Sequence, residues 1–352
     1  MIHARADPEK SIKNAAGSRL GETIGDGSGT LRTVPTRSTR IEKDECMNEQ
    51  MLMIEKLRKK VLWRYIVMIV LPFAAGISAI LMLRRGMLTS GVPLVVVGSM
   101  VVLFIILLVI STKAKKEYRA YYKANYIDAM IKEVIPNGQY LPDQGFPSTM
   151  IANTGLIYMG NIYHSEDLIT GVYNNVEFRR ADVLIQEETR DSDGDTTTTT
   201  YFKGRWMIFE SNKYFEADLQ VIQKGFGYAQ KRTGIFTRKT ARRHAIETED
   251  VTFNKEFKCL CQNDQEAFYL MTPVLMQGLM RLAAESDGKI MVGFVNNLIH
   301  VAIKSNKNSL EPPVFHRISD NDIREIQREI HAVTSFVEGM RIDNKIFMQT
   351  KY

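Results

Sequence analysis

Cys259 and Cys261 stand two residues apart. On a β-strand, where side chains alternate, both sulfurs would share one face. Two thiolates are half of a tetrahedral zinc site, which needs four donors and usually spaces its paired cysteines as C-x-x-C. The remaining cysteine is Cys46, so no second pair completes such a set. Two small core residues are the alternative. Asp191, Asp193 and Asp195 resemble the opening of a calcium loop. Gly194 is fourth rather than sixth, however, and Phe202 stands where the twelfth-position Glu belongs. A solvated hairpin turn uses the same residues. Gly225-Phe226-Gly227 could cradle a phosphate, but position 230 is Gln and no helix start follows. His164, His244, His300 and His316 are scattered, and His300 between Ile299 and Val301 suits a packed strand better than catalysis. G-x-S-x-G, H-E-x-x-H and Walker patterns are absent from the sequence, so no catalytic residue, metal ligand or cofactor is assigned.

The most informative polar feature is a cluster of cations. Lys231, Arg232, Arg238, Lys239, Arg242 and Arg243 place six positive charges within 13 residues that hold no acid, and His244 follows. This segment is the candidate contact for a partner or for anionic lipid headgroups, each cation near a surface contributing on the order of 1 kcal/mol. RNA or an acidic protein could also meet such a patch, and a solvated loop would look the same.

The chain has 352 residues and a formal net charge of +6, and this charge is unevenly distributed. Residues 47–123 carry 12 basic and 3 acidic side chains, whereas residues 124–352 carry 26 basic and 30 acidic. The basicity therefore surrounds two uncharged apolar runs, of 19 residues at 65–83 and 23 residues at 88–110. About 20 apolar residues suffice to cross bilayer hydrocarbon, and Pro72 and Pro93 are tolerated there. Lys56, Arg58, Lys59, Lys60 and Arg64 precede the first run, and Lys113, Lys115, Lys116, Arg119 and Lys123 follow the second. Only Arg84 and Arg85 lie between them. The positive-inside rule then predicts a multi-pass, two-helix hairpin in the cell membrane with both termini cytoplasmic. Unpaired cysteines fit that reducing compartment, and nucleic acid is not expected as a partner.

Residues 1–46 are rich in Gly, Ser, Thr and mixed charge without apolar periodicity, which predicts a disordered leader. Lys43-Asp44-Glu45-Cys46 before Met47 can be encoded with a ribosome-binding string. One reading therefore starts translation at Met47 and makes the leader non-native.

Beyond the hairpin (47–111), apolar residues at 118, 121, 122, 126, 127, 130, 131 and 134 have helical spacing and predict a juxtamembrane helix within 112–136. Residues 137–352 read as a cytoplasmic α+β domain with an antiparallel sheet and packed helices. Ser148 is expected to cap a short helix over 149–153. Strands are expected at 167–172, 176–188, 196–209, 217–223 and 257–261, and a hairpin at 290–294 and 298–303. Residues 264–285 should be helical with a break at Thr272-Pro273, and a last helix should start at Ser319.

Glu249 to Ala283 reads EDVTFNKEFKCLCQNDQEAFYLMTPVLMQGLMRLA. Glu249, Asp250, Phe253, Phe257, Asp264, Glu266, Ala267, Leu270, Thr272, Pro273 and Met276 resemble the signature of the bacterial membrane protein family catalogued as domain of unknown function 3137. Met271 is one extra residue inside that family's usual Leu-Thr-Pro. Phe202-Lys203-Gly204, the Glu166-Asp167…Gly171 stretch and the two apolar runs are also similar, so the resemblance spans roughly residues 50–345. It implies an uncharacterised integral membrane protein with a cytoplasmic domain, and a LemA-type membrane protein as partner. It assigns no catalytic residue. Phe253 and Phe257 would be core anchors, Pro273 a helix start and Gly204 a point of close approach.

The sequence therefore predicts a membrane-anchored binding or scaffold module. The alternatives are an enzyme of unrecognised type using His164, His244 or the 191–195 acids, and an accessory protein of a transport or assembly complex.

Overall fold

The computed structural model describes residues 23–24, 32–33, 37–84, 92–211, 214–215, 218–227 and 243–340. The chain divides into two compact units, Met1–Lys60 and Val61–Tyr352. β1 (Thr23–Ile24) pairs antiparallel with β2 (Arg32–Thr33). Helix α1 (Arg37–Arg84) opens inside the segment expected to lack order, ten residues before Met47. The expected join at 84–87 lies almost wholly outside the described residues.

Helix α2 (Val92–Tyr121) runs directly into a π-helical turn (Tyr122–Ile127) and then α3 (Asp128–Val134). The expected continuous helix is thus present, with one wider turn in it. Glu49–Ser78 in α1, and Gly98–Val134 from α2 through the π-helical turn to the end of α3, are long and apolar enough to cross a membrane. In the apolar runs 65–83 and 88–110, large side chains are left unpacked: Phe73 is 69 % exposed and Val95 68 %.

The remaining residues build a nine-stranded antiparallel sheet of order β3-β4-β5-β6-β11-β10-β7-β9-β8. Its strands are β3 (Gln139–Leu141), β4 (Ile162–Tyr173), β5 (Val176–Arg190), β6 (Thr196–Glu210), β7 (Leu219–Gln223), β8 (His244–Ile246), β9 (Phe257–Cys261), β10 (Lys289–Val295) and β11 (Leu298–Lys304). Asn174 and Asn175 both adopt left-handed conformations (φ 49° and 63°), the requirement of a tight hairpin turn, and so join β4 to β5. Asn296 (φ 56°) does the same between β10 and β11.

The helices begin where side chains can satisfy free backbone N–H groups. Asp250 accepts from the amides of Thr252 and Phe253 to start α5 (Val251–Glu256). Asn263 caps α6 (Asp264–Leu270), and Thr272 with Pro273 starts α7 (Pro273–Glu285). The expected break is therefore two helices in series. The short helix α4 (Ser148–Ala152) takes Ser148 as its first residue, not its cap; Pro147 precedes it, and the cap makes no side-chain bond. The last helix, α8, spans Asp320–Met340.

Alternation sends one set of strand residues to each face. Ala181, Val183, Ile185, Phe202, Trp206, Ile208, Met291 and Ala302 pack with Phe146, Ile151 and Leu156 from the α4 region. On the opposite face Phe209 stacks on Phe336 of α8, with ring centroids 4.5 Å apart. Phe253 and Phe257 are buried and stack at 4.7 Å, so they anchor the core as expected. Phe226 is buried against Phe202, and its neighbours Gly225 and Gly227 have positive φ. Gly225-Phe226-Gly227 is thus a turn that delivers an aromatic ring to the core, not a phosphate cradle.

Gly204 on β6 has φ 153°, and a Cβ there would lie 2.1 Å from the Ile303 carbonyl oxygen of the neighbouring strand. The obstructing atoms are backbone of residues 303–305, which cannot swing aside as a side chain could, so Gly204→Ala should cost about 2–4 kcal/mol. Gly339→Ala, in open space on α8, should be neutral or stabilise by up to about 1 kcal/mol. Urea unfolding of the detergent-solubilised chain checks the pair, and equal stabilities would overturn the close-approach argument.

His300 is buried on β11, and its Nδ1 accepts a hydrogen bond from Trp206 Nε1 at 3.2 Å. Burial pushes its pKa down from 6.5 to about 4. The folded state thus prefers the neutral ring. The stability this brings is complete above pH 6.5 and is lost as pH falls through about 4, at most about 3 kcal/mol. His300→Gln should flatten the fall in unfolding free energy between pH 6.5 and 4 by most of that amount. A slope identical to the parent's would refute it.

Candidate functional site

Ionisable side chains converge where the π-helical turn meets the sheet. Tyr118 at the end of α2 and Tyr122 and Tyr126 in the wider turn form a row of tilted rings, with neighbouring centroids 6.4 and 5.4 Å apart, all buried. The Tyr118 hydroxyl donates to the Pro313 carbonyl at 2.8 Å. This tyrosine-rich helix face is therefore used inside the chain.

The same turn buries Lys123, whose side chain is 2 % exposed. Its partner is Asp167, made available by an irregularity in β4. Between the pairs Glu166–Asp182 and Ile169–Arg180, β4 carries one residue more than β5. Asp167 sits in this bulge at φ 60°, a conformation Asp tolerates better than most residues. Lys123 Nζ lies 2.8 and 2.7 Å from its two carboxylate oxygens, and the Tyr140 hydroxyl donates to Oδ1 at 2.5 Å. Burial raises the Asp167 pKa, and the Lys123 charge opposes that shift.

The pair belongs to a larger network. Glu311 accepts from Lys123 at 2.5 Å and Arg119 at 2.6 Å, and Arg119 also reaches Glu166 at 2.6 Å. On the strands, Arg180 pairs with Asp182 at 2.8 Å and Glu329 of α8 at 3.1 Å. Arg205 pairs with Glu329 and Asp287. Loss of solvent, despite the adjacent Arg180, raises Asp182 to about 6. Burial and the like charge of Arg180 lower Arg205 to about 10. A cleft of about 330 Å³ opens beside Arg205, bordered by Asp287, Lys307, Glu325 and Glu329. The Glu166, Asp167 and Glu311 oxygens lie close enough to hold a metal ion. Arg119 and Lys123 already pair with all three carboxylates, so this is a salt-bridge junction.

The sequence-derived residues fall elsewhere. Lys231, Arg232, Lys239, Arg238 and Arg242 lie outside the described residues. Arg243 is described, with its side chain 7 % exposed. It bonds Asp218 at 2.7 Å and the Thr154 and Gly155 carbonyls at 2.8 and 3.0 Å. It is thus a structural bridge, unlike the solvent-facing cation the sequence suggested. His164 borders a cleft of about 120 Å³ with Glu166, Asp182 and Lys203. β4 is second and β8 ninth in the sheet, so His164 and His244 do not share a pocket. Asp191 Oδ1 accepts from the amides of Asp193 and Asp195 at 3.1 and 2.9 Å, which makes that segment a self-satisfied turn.

Cys259 and Cys261 do share a buried face of β9, and burial pushes their thiols up to about 12 and 11. The sequence did not show that β8 places His244 directly across from Cys261. Asp264, the first residue of α6, completes this second group. A three-residue edge strand after a basic run has too weak a pattern to be found from periodicity.

Removing one partner of a buried ion pair strands the other charge. Lys123→Ala should therefore destabilise the chain by about 3–5 kcal/mol. Lys123→Met with Asp167→Asn should recover more than half of that loss. Thermal or urea unfolding of the three proteins decides, and a Lys123→Ala cost below about 1 kcal/mol would remove the buried-charge account.

No curated protein sequence matches the chain. The crystal structure of the mycobacterial trehalose monomycolate transport factor A, TtfA, aligns at 7 % identity and a TM-score of 0.37. The alignment covers 63 % of this chain and 96 % of that one, a likeness too slight to bear on function. Residues 200–342, from β6 through α8, match the family described as "Protein of unknown function (DUF3137)", and this match supports membership of the chain in that family.

Proposed function

We propose that the protein is a membrane-anchored binding module whose sheet is held close to the inner leaflet by a helix shared between the membrane and the domain. The carrying observation is the continuity of α2, the π-helical turn and α3, locked to β4 by Lys123 and Asp167. From Ile110, where the apolar run ends, to Lys123 the helix rises only about 20 Å. Arg64 Nη1 donates to the Ile110 carbonyl at 2.9 Å, and Tyr65 packs on Phe315 at 6.1 Å. The first contact joins the start of the first apolar run to the end of the second, which supports a hairpin, and the other joins that start to the domain.

In this reading the charge asymmetry places both termini and the sheet in the cytoplasm. Residues 231–242 are the segment this reading assigns to anionic headgroups or to an acidic face of a neighbouring membrane protein. A LemA-type protein is the partner class this proposal favours.

A cysteine introduced at exposed Ser192 should react with an impermeant maleimide only after cells are opened; labelling of intact cells would overturn the orientation. In nanodiscs, amide exchange across 228–242 should slow when phosphatidylglycerol replaces neutral lipid. That protection should vanish when Lys231, Arg232, Arg238 and Lys239 are changed to Glu. Exchange indifferent to lipid charge would refute the lipid contact.

A further inference from the structure

His244, Cys261 and Asp264 come together at the far edge of the sheet from the salt-bridge junction. Antiparallel pairing sets His244 opposite Cys261, so the two side chains emerge side by side on one face. Asp264 follows three residues later and turns back toward both. His244 Nε2 lies 2.5 Å from Asp264 Oδ1 and 3.8 Å from Cys261 Sγ, and Cys261 Sγ lies 3.4 Å from Asp264 Oδ1.

These distances describe a triangle around a common point. With zinc–sulfur, zinc–nitrogen and zinc–oxygen bonds of ordinary length, a tetrahedral site has edges of about 3.3–3.6 Å. The two edges that include sulfur already come within a few tenths of an ångström of this. The third is a His–Asp hydrogen bond, which opens once a metal replaces its proton. A nucleophilic relay has a different arrangement: the carboxylate would hold Nδ1 and leave Nε2 to the thiol. Here both groups approach Nε2.

We propose that His244 Nε2, Cys261 Sγ and Asp264 Oδ1 bind one divalent transition-metal ion of the zinc class, with the fourth tetrahedral position open to water. Thiolate, imidazole and carboxylate together suit a borderline-soft ion better than calcium or magnesium. Two anionic donors balance the 2+ charge, so the loaded site is neutral beside a buried sulfur. On binding, the Cys261 S–H bond breaks, a sulfur–metal bond forms and the proton passes to solvent. His244 and Asp264 have side chains 53 % and 57 % exposed, which leaves the ion a path from water. This site is independent of the membrane reading.

The test uses the full chain in detergent, stripped with chelator and titrated with zinc chloride, with cobalt as the spectroscopic probe. One zinc per chain is expected, and a near-ultraviolet thiolate-to-cobalt band that Cys261→Ser abolishes. His244→Ala and Asp264→Ala should each weaken zinc at least about tenfold. Both lie at exposed positions, so their result stands even if Cys261→Ser folds poorly. Absence of zinc binding at micromolar concentration would overturn the site. So would an affinity unchanged in His244→Ala and Asp264→Ala, or a cobalt band that persists in Cys261→Ser.

Discussion

A lysine with a side chain 2 % exposed, facing an aspartate that is fully buried, is the constraint on which the rest of the domain depends. Taking each charge out of water costs several kcal/mol, and only close mutual pairing and further hydrogen bonds offset it. Tyr140 and Glu311 supply those bonds. The consequence is geometric. Lys123 reaches Asp167 only because the helix widens into a π-turn and β4 bulges by one residue. Two local irregularities, one in each element, are held in place by one ion pair. The helix that extends the second apolar run cannot then change register against the sheet without stranding a buried charge.

From that junction the ionic network spreads over one face of the sheet. It enlists Arg180 and Arg205 from adjacent strands and Glu329 from the last helix. Such networks are weak evidence for raw stability, because well-packed apolar residues would often do as well. Their value here is positional: each arginine bonds two acidic partners on different elements, so helix α8 is seated in one orientation. The opposite face does the conventional work of packing, with Trp206, Phe202 and Phe226 against the α4 region.

The residues that carry the family resemblance divide along the same lines. Asp250 and Thr272 are helix caps, Pro273 is a first helical residue, and Phe253 and Phe257 are a stacked core pair. Each has a sufficient structural role, so none need point to catalysis. Asp264 is the exception: it faces His244 and Cys261 rather than a backbone amide. The family match itself begins at residue 200 and therefore leaves out the apolar runs and the Glu166-Asp167 bulge that the resemblance had included.

The sequence by itself determined whatever depends on neighbours along the chain. The apolar runs, their basic flanks, the helical spacing through residue 134 and the asparagine turns are local or periodic signals. So are the Thr272-Pro273 break and the alternation of the central strands. These were legible because a period or a turn residue acts over a few positions. Only the tertiary structure decided what depends on pairing across the chain. It turned Arg243 inward to Asp218, hid the tyrosine stripe, brought Lys123 to a bulged Asp167 and set His244 across from Cys261. A cation, a tyrosine or a histidine has the same local pattern whether it faces water or a distant partner. Which it faces is settled by strand order and burial, and neither is written in the spacing of one segment.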